Sequence, residues 1–437
     1  MSEVAQAIHS SPDGHIPQLR FPEFSGEWMT DELSNLIEIS SNKFNPNTSN
    51  ESKKCIELEH LSQETGELLG YTDSTAQAST KNAFTKGQVL FGKLRPYLKK
   101  FWLSQFDGVC SSEIWVLNGK KLANNYLFQF IQTNKFNQIA NVSSGSKMPR
   151  SDWKYMVQVP FKYTTKPEQQ KIAAFLTAVD NKIEQLSKKQ ALLGEYKKGL
   201  MQQIFSQAIR FHSKGTSSQA QGEIDDTPGQ PLLPNGNSPS GSDFPDWEEK
   251  KLGDITDLIT KGTTPTSVGY NFTTEGINFI KVESIKNFKI DIGSVPKISE
   301  ECHHHLKRSQ LKNNDIVFSI AGTLGRTAIV KNKDLPANTN QALSIIRLNR
   351  SQHILFVHYL LNLESIDKYI HRMLSVGAQP NLSLQQVGDI QLQLPSLLEQ
   401  SKITNFLSFI DSKIEQVGKQ LDESKQFKKA LLQQMFI

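Results

Sequence analysis

Residues 168–205 read EQQKIAAFLTAVDNKIEQLSKKQALLGEYKKGLMQQIF, and residues 399–436 read EQSKITNFLSFIDSKIEQVGKQLDESKQFKKALLQQMF. The two stretches align without a gap at a constant offset of 231, with 18 identities in 38 positions. Similarity of that length and density marks an internal duplication. Both copies carry apolar residues at helical spacing. A heptad frame places Ile172, Val179, Leu186, Leu193 and Leu200 at d and Leu176, Ile183, Gln190, Lys197 and Ile204 at a. In the second copy d falls on Ile403, Ile410, Val417, Ser424 and Leu431, and a on Leu407, Ile414, Leu421, Lys428 and Met435. A helix of this length spans about 57 Å and cannot bury such a seam alone, so the two copies are expected to pack on each other. Pairing within one chain, antiparallel, is the simplest geometry for a duplicated unit; a dimer of separate chains is the competing one. Lys188-Lys189, Lys197-Lys198 and Lys428-Lys429 are expected on the solvated face, with tracking of a phosphate backbone as the alternative.

Each helix closes a longer segment with its own β-prone core. Val89-Leu90-Phe91 and Ile316-Val317-Phe318 follow turn formers, and Glu113–Leu117 and Leu343–Leu348 are short β-prone runs. Helix candidates Asn125–Ala140 and Ile354–Leu374 come next, then a glycine loop and a strand ending at Pro160 or Pro395. The openings also match, FPEFSGEWMTDEL against FPDWEEKKL, aligning Trp28 with Trp247. Residues 207–243 are rich in Gly, Pro and Ser without apolar periodicity and read as a flexible linker. The expected division is a tail over 1–18, a mixed α/β domain over 19–166, a helix over 167–206, the linker, a second α/β domain over 244–397 and a helix over 398–437. The middles of the two domains differ, as they would if the halves recognise different things.

Composition limits the function. An apolar content of 37% supports real cores, and no apolar run is long enough for a membrane span. Cys55, Cys110 and Cys302 stand apart, which suits a reducing cytoplasm better than a disulfide framework. The net charge of +5 is unevenly spread. Residues 1–80 hold 4 Lys/Arg against 13 Asp/Glu, and residues 81–166 hold 14 against 3. A basic block on a folded segment suits a polyanion, because Lys and Arg release the counterions condensed on phosphates; an ordinary solvated basic surface is the alternative. There is no GxxxxGK[ST] phosphate loop and no GxGxxG after a strand. Cys302-His303-His304-His305 reads as a surface turn and not a metal site, since neighbours in one run seldom converge on one ion. No catalytic constellation is legible.

The pattern Pro…Glu-Gln-x2-Ile-x3-Leu-x3-Asp-x2-Ile occurs twice, as Pro160…Glu168-Gln169…Ile172…Leu176…Asp180…Ile183 and Pro395…Glu399-Gln400…Ile403…Leu407…Asp411…Ile414. Together with the FPEF and FPDW openings, Lys93–Leu98, Cys110–Ile114, Gly322–Gly325 and Thr339–Ala342, it resembles the specificity subunit of type I restriction-modification enzymes. One departure is that Pro160 lies four residues further from its Glu-Gln than Pro395 does. The resemblance implies two pseudo-symmetric target-recognition domains reading a split, asymmetric site in double-stranded DNA. It implies that the long helices form an antiparallel intramolecular coiled coil that docks two modification subunits, with restriction subunits joining them, in a prokaryotic cytoplasm. It also implies that this chain holds no cofactor and catalyses nothing: S-adenosylmethionine, ATP and Mg2+ belong to the partners.

Reading bases requires Arg or Lys for guanine and Asn or Gln for adenine. The candidates are Lys93, Arg95, Tyr97 and Lys99, then Ser144, Ser146, Lys147 and Arg150 in the first domain. In the second they are Lys261, Thr263, Thr264, Arg326, Asn340, Gln341, Gln379 and Asn381. Helix packing and subunit docking are expected at Ile172, Leu176, Val179, Ile183, Leu186, Ile403, Leu407, Ile410, Ile414 and Val417. A coiled-coil scaffold with non-specific DNA binding is the main alternative, and a self-contained DNA-modifying enzyme a further one.

Overall fold

The structure is a computed structural model that describes residues 16–48, 51–76, 79–142, 148–211, 245–374 and 381–437. It divides into two units, one reaching to Ala191 and including Gln416–Ile437, the other running from Leu192 to Glu415. Each long helix is continuous, Lys166–Phe205 and Leu397–Gln434, and each contributes one part to each unit.

In the first unit, Met29–Glu32 pairs with Pro160–Tyr163, and a four-stranded sheet runs Ile37–Ile39, Ile114–Gly119, Val89–Gly92, Phe101–Leu103. In the second, Glu248–Lys251 pairs with Gln391–Leu394, and the corresponding sheet runs Thr256–Lys261, Leu343–Leu348, Ile316–Ser319, Thr327–Ile329. The strand order is the same. The second sheets are not. The first unit has five strands, ordered Lys43–Phe44, Lys81–Phe84, Gly108–Cys110, Lys54–Ile56, Thr72–Asp73. The second unit has four, ordered Phe272–Thr273, Lys297–Ile298, Ile277–Ile280, Ala337–Thr339, with a separate hairpin at 285–290.

The long helices pair antiparallel inside each unit. In the first, Ile172 and Leu176 share a core with Leu431, Met435 and Phe436. In the second, Leu200 and Ile204 share one with Ile403, Leu407 and Ile410. Leu186, Val417 and Leu421 are buried as well, whereas Val179, Ile183 and Ile414 are half-buried. Two heptad a positions hold lysines that do not sit on the solvated face as expected. Lys428 pairs with Asp180 at 2.5 Å and Lys197 with Asp411 at 2.6 Å, and only 11% and 16% of these lysine side chains is exposed. A long lysine can bury its stem in the seam and place its ammonium on the facing carboxylate. Gln129 and Tyr359, at matching places on the flanking helices, donate to the same two aspartates.

The structure explains the Glu-Gln pair that opens each repeat. Gln169 is buried, accepts from the Ala123 N–H and donates to the Thr164 carbonyl; Gln400 does the same with His353 and Pro395. Thr164 is therefore the counterpart of Pro395, and Pro160 begins its strand where Gln391 begins the other. The apparent four-residue departure disappears. Glu168 and Glu399, also buried, are each gripped by two guanidinium nitrogens, from Arg20 and Arg210 respectively.

Arg210 lies in what the composition marks as linker, and the linker begins later than 207. Ile209 is buried, its N–H donates to the Gln203 carbonyl, and Phe211 packs on Phe406. Residues 19–21 repeat this arrangement at the end of the other helix: Leu19 donates to the Gln434 carbonyl and Phe21 packs on Phe175. The counterpart of Phe21 is thus Phe211 and not Phe244. The rest of the expected linker, from 212 on, lies outside the described residues.

Both expected helices are broken. Asn124–Phe130 and Asn134–Ala140 are separated where the Thr133 hydroxyl bonds the Phe130 carbonyl and caps the Phe136 N–H. Ile354–Leu360 and Glu364–Met373 are separated where the chain turns at buried Leu361 into extended Leu363. The Cys302–His305 run is not a turn but part of the helix Glu300–His305, capped by Ser299, with Cys302 buried. Burial pushes the Cys55 thiol up to about 11 and raises those of Cys110 and Cys302. Among the described residues, no helix is long and apolar enough to cross a membrane.

Candidate nucleic-acid interface

In each unit, three segments meet just beyond the central sheet strands. In the first, Lys93 N–H donates to the Glu113 carbonyl at 3.0 Å, Ser151 N–H to the Lys93 carbonyl at 2.9 Å, and Leu94 bridges Arg150. In the second, Ile320 N–H donates to the Ala342 carbonyl at 2.8 Å, Leu382 N–H to the Ile320 carbonyl at 2.9 Å, and Ala321 bridges Asn381. Donors, acceptors and bridge match one for one. The backbone therefore assigns equivalence between Lys93, Glu113 and Arg150 and Ile320, Ala342 and Asn381.

The first junction is polar and basic. Lys93 is half-buried, Arg95 exposed, and Tyr97 has 55% of its surface exposed. Arg150 lies against Glu113 with Nε to Oε2 at 3.0 Å and Nη2 to Oε1 at 3.2 Å, which raises its already high pKa. Lys99 pairs with Glu64 at 2.8 Å. Arg95 and Lys99 have φ values of +51° and +47°, a region costly for side chains with a Cβ. The corresponding loop of the second unit places Gly322 and Gly325 at +75° and +78°. Two basic residues held in a left-handed backbone form the kind of outlier from which a functional hypothesis starts. Among the described residues, no hydrogen bond fixes the Arg95 guanidinium. Arg95→Gly is expected to hold or raise stability, by up to about 1 kcal/mol, while weakening DNA binding. Thermal unfolding and a binding titration on the same preparation check both; a clear loss of stability counts against strain at this site.

Ser144, Ser146 and Lys147 lie outside the described residues, as does Gln379. In the second unit, Lys261 is exposed and Thr263 and Thr264 half-buried at the end of an edge strand. Gly262 lets this segment close on Thr339–Gln341: its N–H donates to the Asn340 carbonyl at 3.1 Å, and a Cβ there would fall 1.9 Å from the Thr339 oxygen. The Thr264 hydroxyl reaches Gln341, and Asn340 caps the Ala342 N–H. Arg326 and Asn381 are exposed. The structure thus groups 261–264 with 339–341, and 320–326 with 381.

Two features escape sequence reading. Glu113 lies in the Cys110–Ile114 motif, but its grip on Arg150 joins residues 37 apart. At the tip of the 285–290 hairpin, Asn287 and Phe288 are both left-handed, and Phe288 is 56% exposed between Lys286 and Lys289. A shallow groove of about 690 Å³ beside Ala123, Gln170, Ala174, Thr177 and Asn181 has no titratable residue in its lining.

The family model for the type I restriction modification DNA specificity domain matches residues 25–193 and again 245–423. The chain is 26% identical to the MjaVIII specificity subunit of Methanocaldococcus jannaschii, over 74% of this chain and 72% of that one. It is 24% identical to the HindI specificity subunit of Haemophilus influenzae, over 76% and 81%. The S subunit of a type I restriction-modification system from M. genitalium shares the fold, with a TM-score of 0.57 at 15% identity over 97% of this chain and 99% of that one. Two matched domains, each built on the same sheet and closed by the same helix, place this chain in the type I restriction-modification DNA specificity family.

Proposed function

We propose that the chain reads a bipartite, asymmetric DNA site, one half through each unit, for a type I restriction-modification complex whose chemistry lies in other subunits. The observation that carries this is one backbone junction built twice with different side chains, beside second sheets that differ in strand number and order. Equal scaffolds with unequal surfaces suit two unequal half-sites. Base edges would be met by Lys93, Arg95, Tyr97, Lys99 and Arg150 on one side. On the other, Lys261, Thr263, Thr264, Arg326, Asn340, Gln341 and Asn381 would meet them, some contacting phosphate only. Ser144, Ser146, Lys147 and Gln379 belong to the same loops in sequence.

Docking of two modification subunits is supported by which repeat identities face solvent. Lys182/Lys413, Glu184/Glu415, Gln185/Gln416, Lys188/Lys419 and Lys198/Lys429 are identical across the repeat and exposed in both copies. Packing does not require identity at such positions; a surface offered twice to the same partner does. The partners would supply methylation with S-adenosylmethionine and, with restriction subunits, ATP- and Mg2+-dependent cleavage.

Sequencing modified bases in cells that carry this chain with its partner methyltransferase tests the proposal. Methyladenine confined to a two-part motif is expected. Methylation scattered without a motif indicates a scaffold, and methylation without the partner indicates an enzyme; either outcome overturns the reading.

A further inference from the structure

We propose that Arg150 and Asn381 are matched base-reading side chains, with Glu113 orienting Arg150 toward a guanine in one half-site while Asn381 reads an adenine in the other. This inference rests on the two-half-site reading above and assigns it base identities.

The two residues occupy one position of the shared junction, since Arg150 bridges Leu94 as Asn381 bridges Ala321. Both side chains are exposed. Arg150 carries five N–H donors in a planar fork. Glu113 takes one from Nε and one from Nη2, which fixes the plane of the group and turns the Nη1–Nη2 edge outward. That edge fits the paired O6 and N7 acceptors of guanine. A phosphate is the poorer partner, because the Glu113 carboxylate stands directly behind the guanidinium and repels a second anion. The neutral edge of a base brings no such repulsion. The nearby left-handed Arg95 is not backed in this way, having no fixed partner among the described residues, and it suits a phosphate that flanks the base.

In the second unit the carboxylate is absent. Ala342 stands where Glu113 does, and Ile320 replaces Lys93. An arginine there would be unrestrained, but the residue is Asn381, whose amide both donates and accepts. It cannot neutralise a phosphate, and its donor–acceptor pair matches adenine N7 and N6. The local chemistry therefore differs in kind between the units, from a buttressed cation to a neutral amide.

The test is modified-base sequencing of cells carrying the partner methyltransferase with the wild-type chain, Arg150→Ala, Arg150→Lys, Glu113→Ala or Asn381→Ala. Arg150→Ala should relax one guanine position in one half-site, lowering discrimination there by roughly 5- to 150-fold, and leave the other half-site unchanged. Asn381→Ala should relax one adenine position in the opposite half-site. Glu113→Ala should relax the Arg150 position while total DNA affinity of the purified complex is held or raised, because the freed guanidinium can then meet phosphate. A merely structural Glu113 would not produce that split. An unchanged motif for Arg150→Ala, or a uniform fall in methylation at all sites, overturns the proposal. If Arg150→Ala abolishes methylation, Arg150→Lys decides: restored methylation with that guanine kept or relaxed supports it, since lysine also donates to guanine, and methylation still absent or a motif altered elsewhere overturns it. A wild-type chain that yields no two-part motif defeats the underlying reading instead.

Discussion

Arg20→Ala and Arg210→Ala should each lower the stability of their own unit by about 3–5 kcal/mol, the usual cost of stripping one partner from a buried ion pair. The carboxylates concerned are almost wholly enclosed, with 1% of the Glu168 side chain and 4% of that of Glu399 exposed. Arg20 meets Glu168 through Nε at 2.7 Å and Nη2 at 2.8 Å; Arg210 meets Glu399 at 2.8 and 3.0 Å. Removing the guanidinium leaves a desolvated charge whose remaining partners, the Thr164 hydroxyl or the Phe211 N–H, are neutral. Restoring neutrality should recover most of the loss, so Arg210→Ala with Glu399→Gln should be more stable than Arg210→Ala alone. Urea unfolding of the full chain, with each transition assigned to its unit, reads both effects. Losses under about 1 kcal/mol for both single variants would place these pairs with exposed salt bridges. The comparison also probes the duplication: similar losses are expected although Arg20 precedes the first strand of its domain and Arg210 follows the Lys166–Phe205 helix.

The repeat made the helices, their antiparallel partnership and the two-domain plan legible, because helical periodicity and internal identity are local signals. The same signals misplaced Lys197 and Lys428. A lysine in a heptad is read as solvated unless the aspartate facing it is known, and Asp411 and Asp180 lie more than two hundred residues away in sequence. Arg210 was hidden by composition, since the Gly/Pro/Ser-rich stretch begins immediately after it. The shared Arg-Phe pairs at 20–21 and 210–211 were the available clue. At the candidate interface, the chosen segments converge in space, yet the equivalence of Arg150 with Asn381 depends on backbone hydrogen bonds. Side chains that differ at equivalent places leave no trace in self-comparison, and such differences are what the proposed reading of two half-sites requires.

A buried histidine gives the second unit a pH response at a position that Phe128 fills in the first. His358 is 6% exposed, and burial, aided by the nearby Lys197 and Lys331 charges, pushes its pKa down from 6.5 to about 4. The Thr327 hydroxyl donates to Asn362 Oδ1 at 2.8 Å and lies 3.0 Å from His358 Nε2, so the neutral ring donates from Nε2. The folded state then binds the proton more weakly than the unfolded chain. The associated stability is present above pH 6.5 and is lost as pH falls toward about 4, amounting to about 2 kcal/mol by pH 5 and about 3 kcal/mol in full. Phe128 occupies the matching helical position in the first unit, one residue before the Gln129 that corresponds to Tyr359. His358→Phe should therefore be accepted by the fold, since Thr327 keeps its bond to Asn362, and it should remove this pH dependence. Urea midpoints of the second unit near pH 7 and about pH 5 give the comparison. The wild type should lose markedly more than the variant on acidification; equal losses would show that His358 is not the group whose proton uptake opposes the fold.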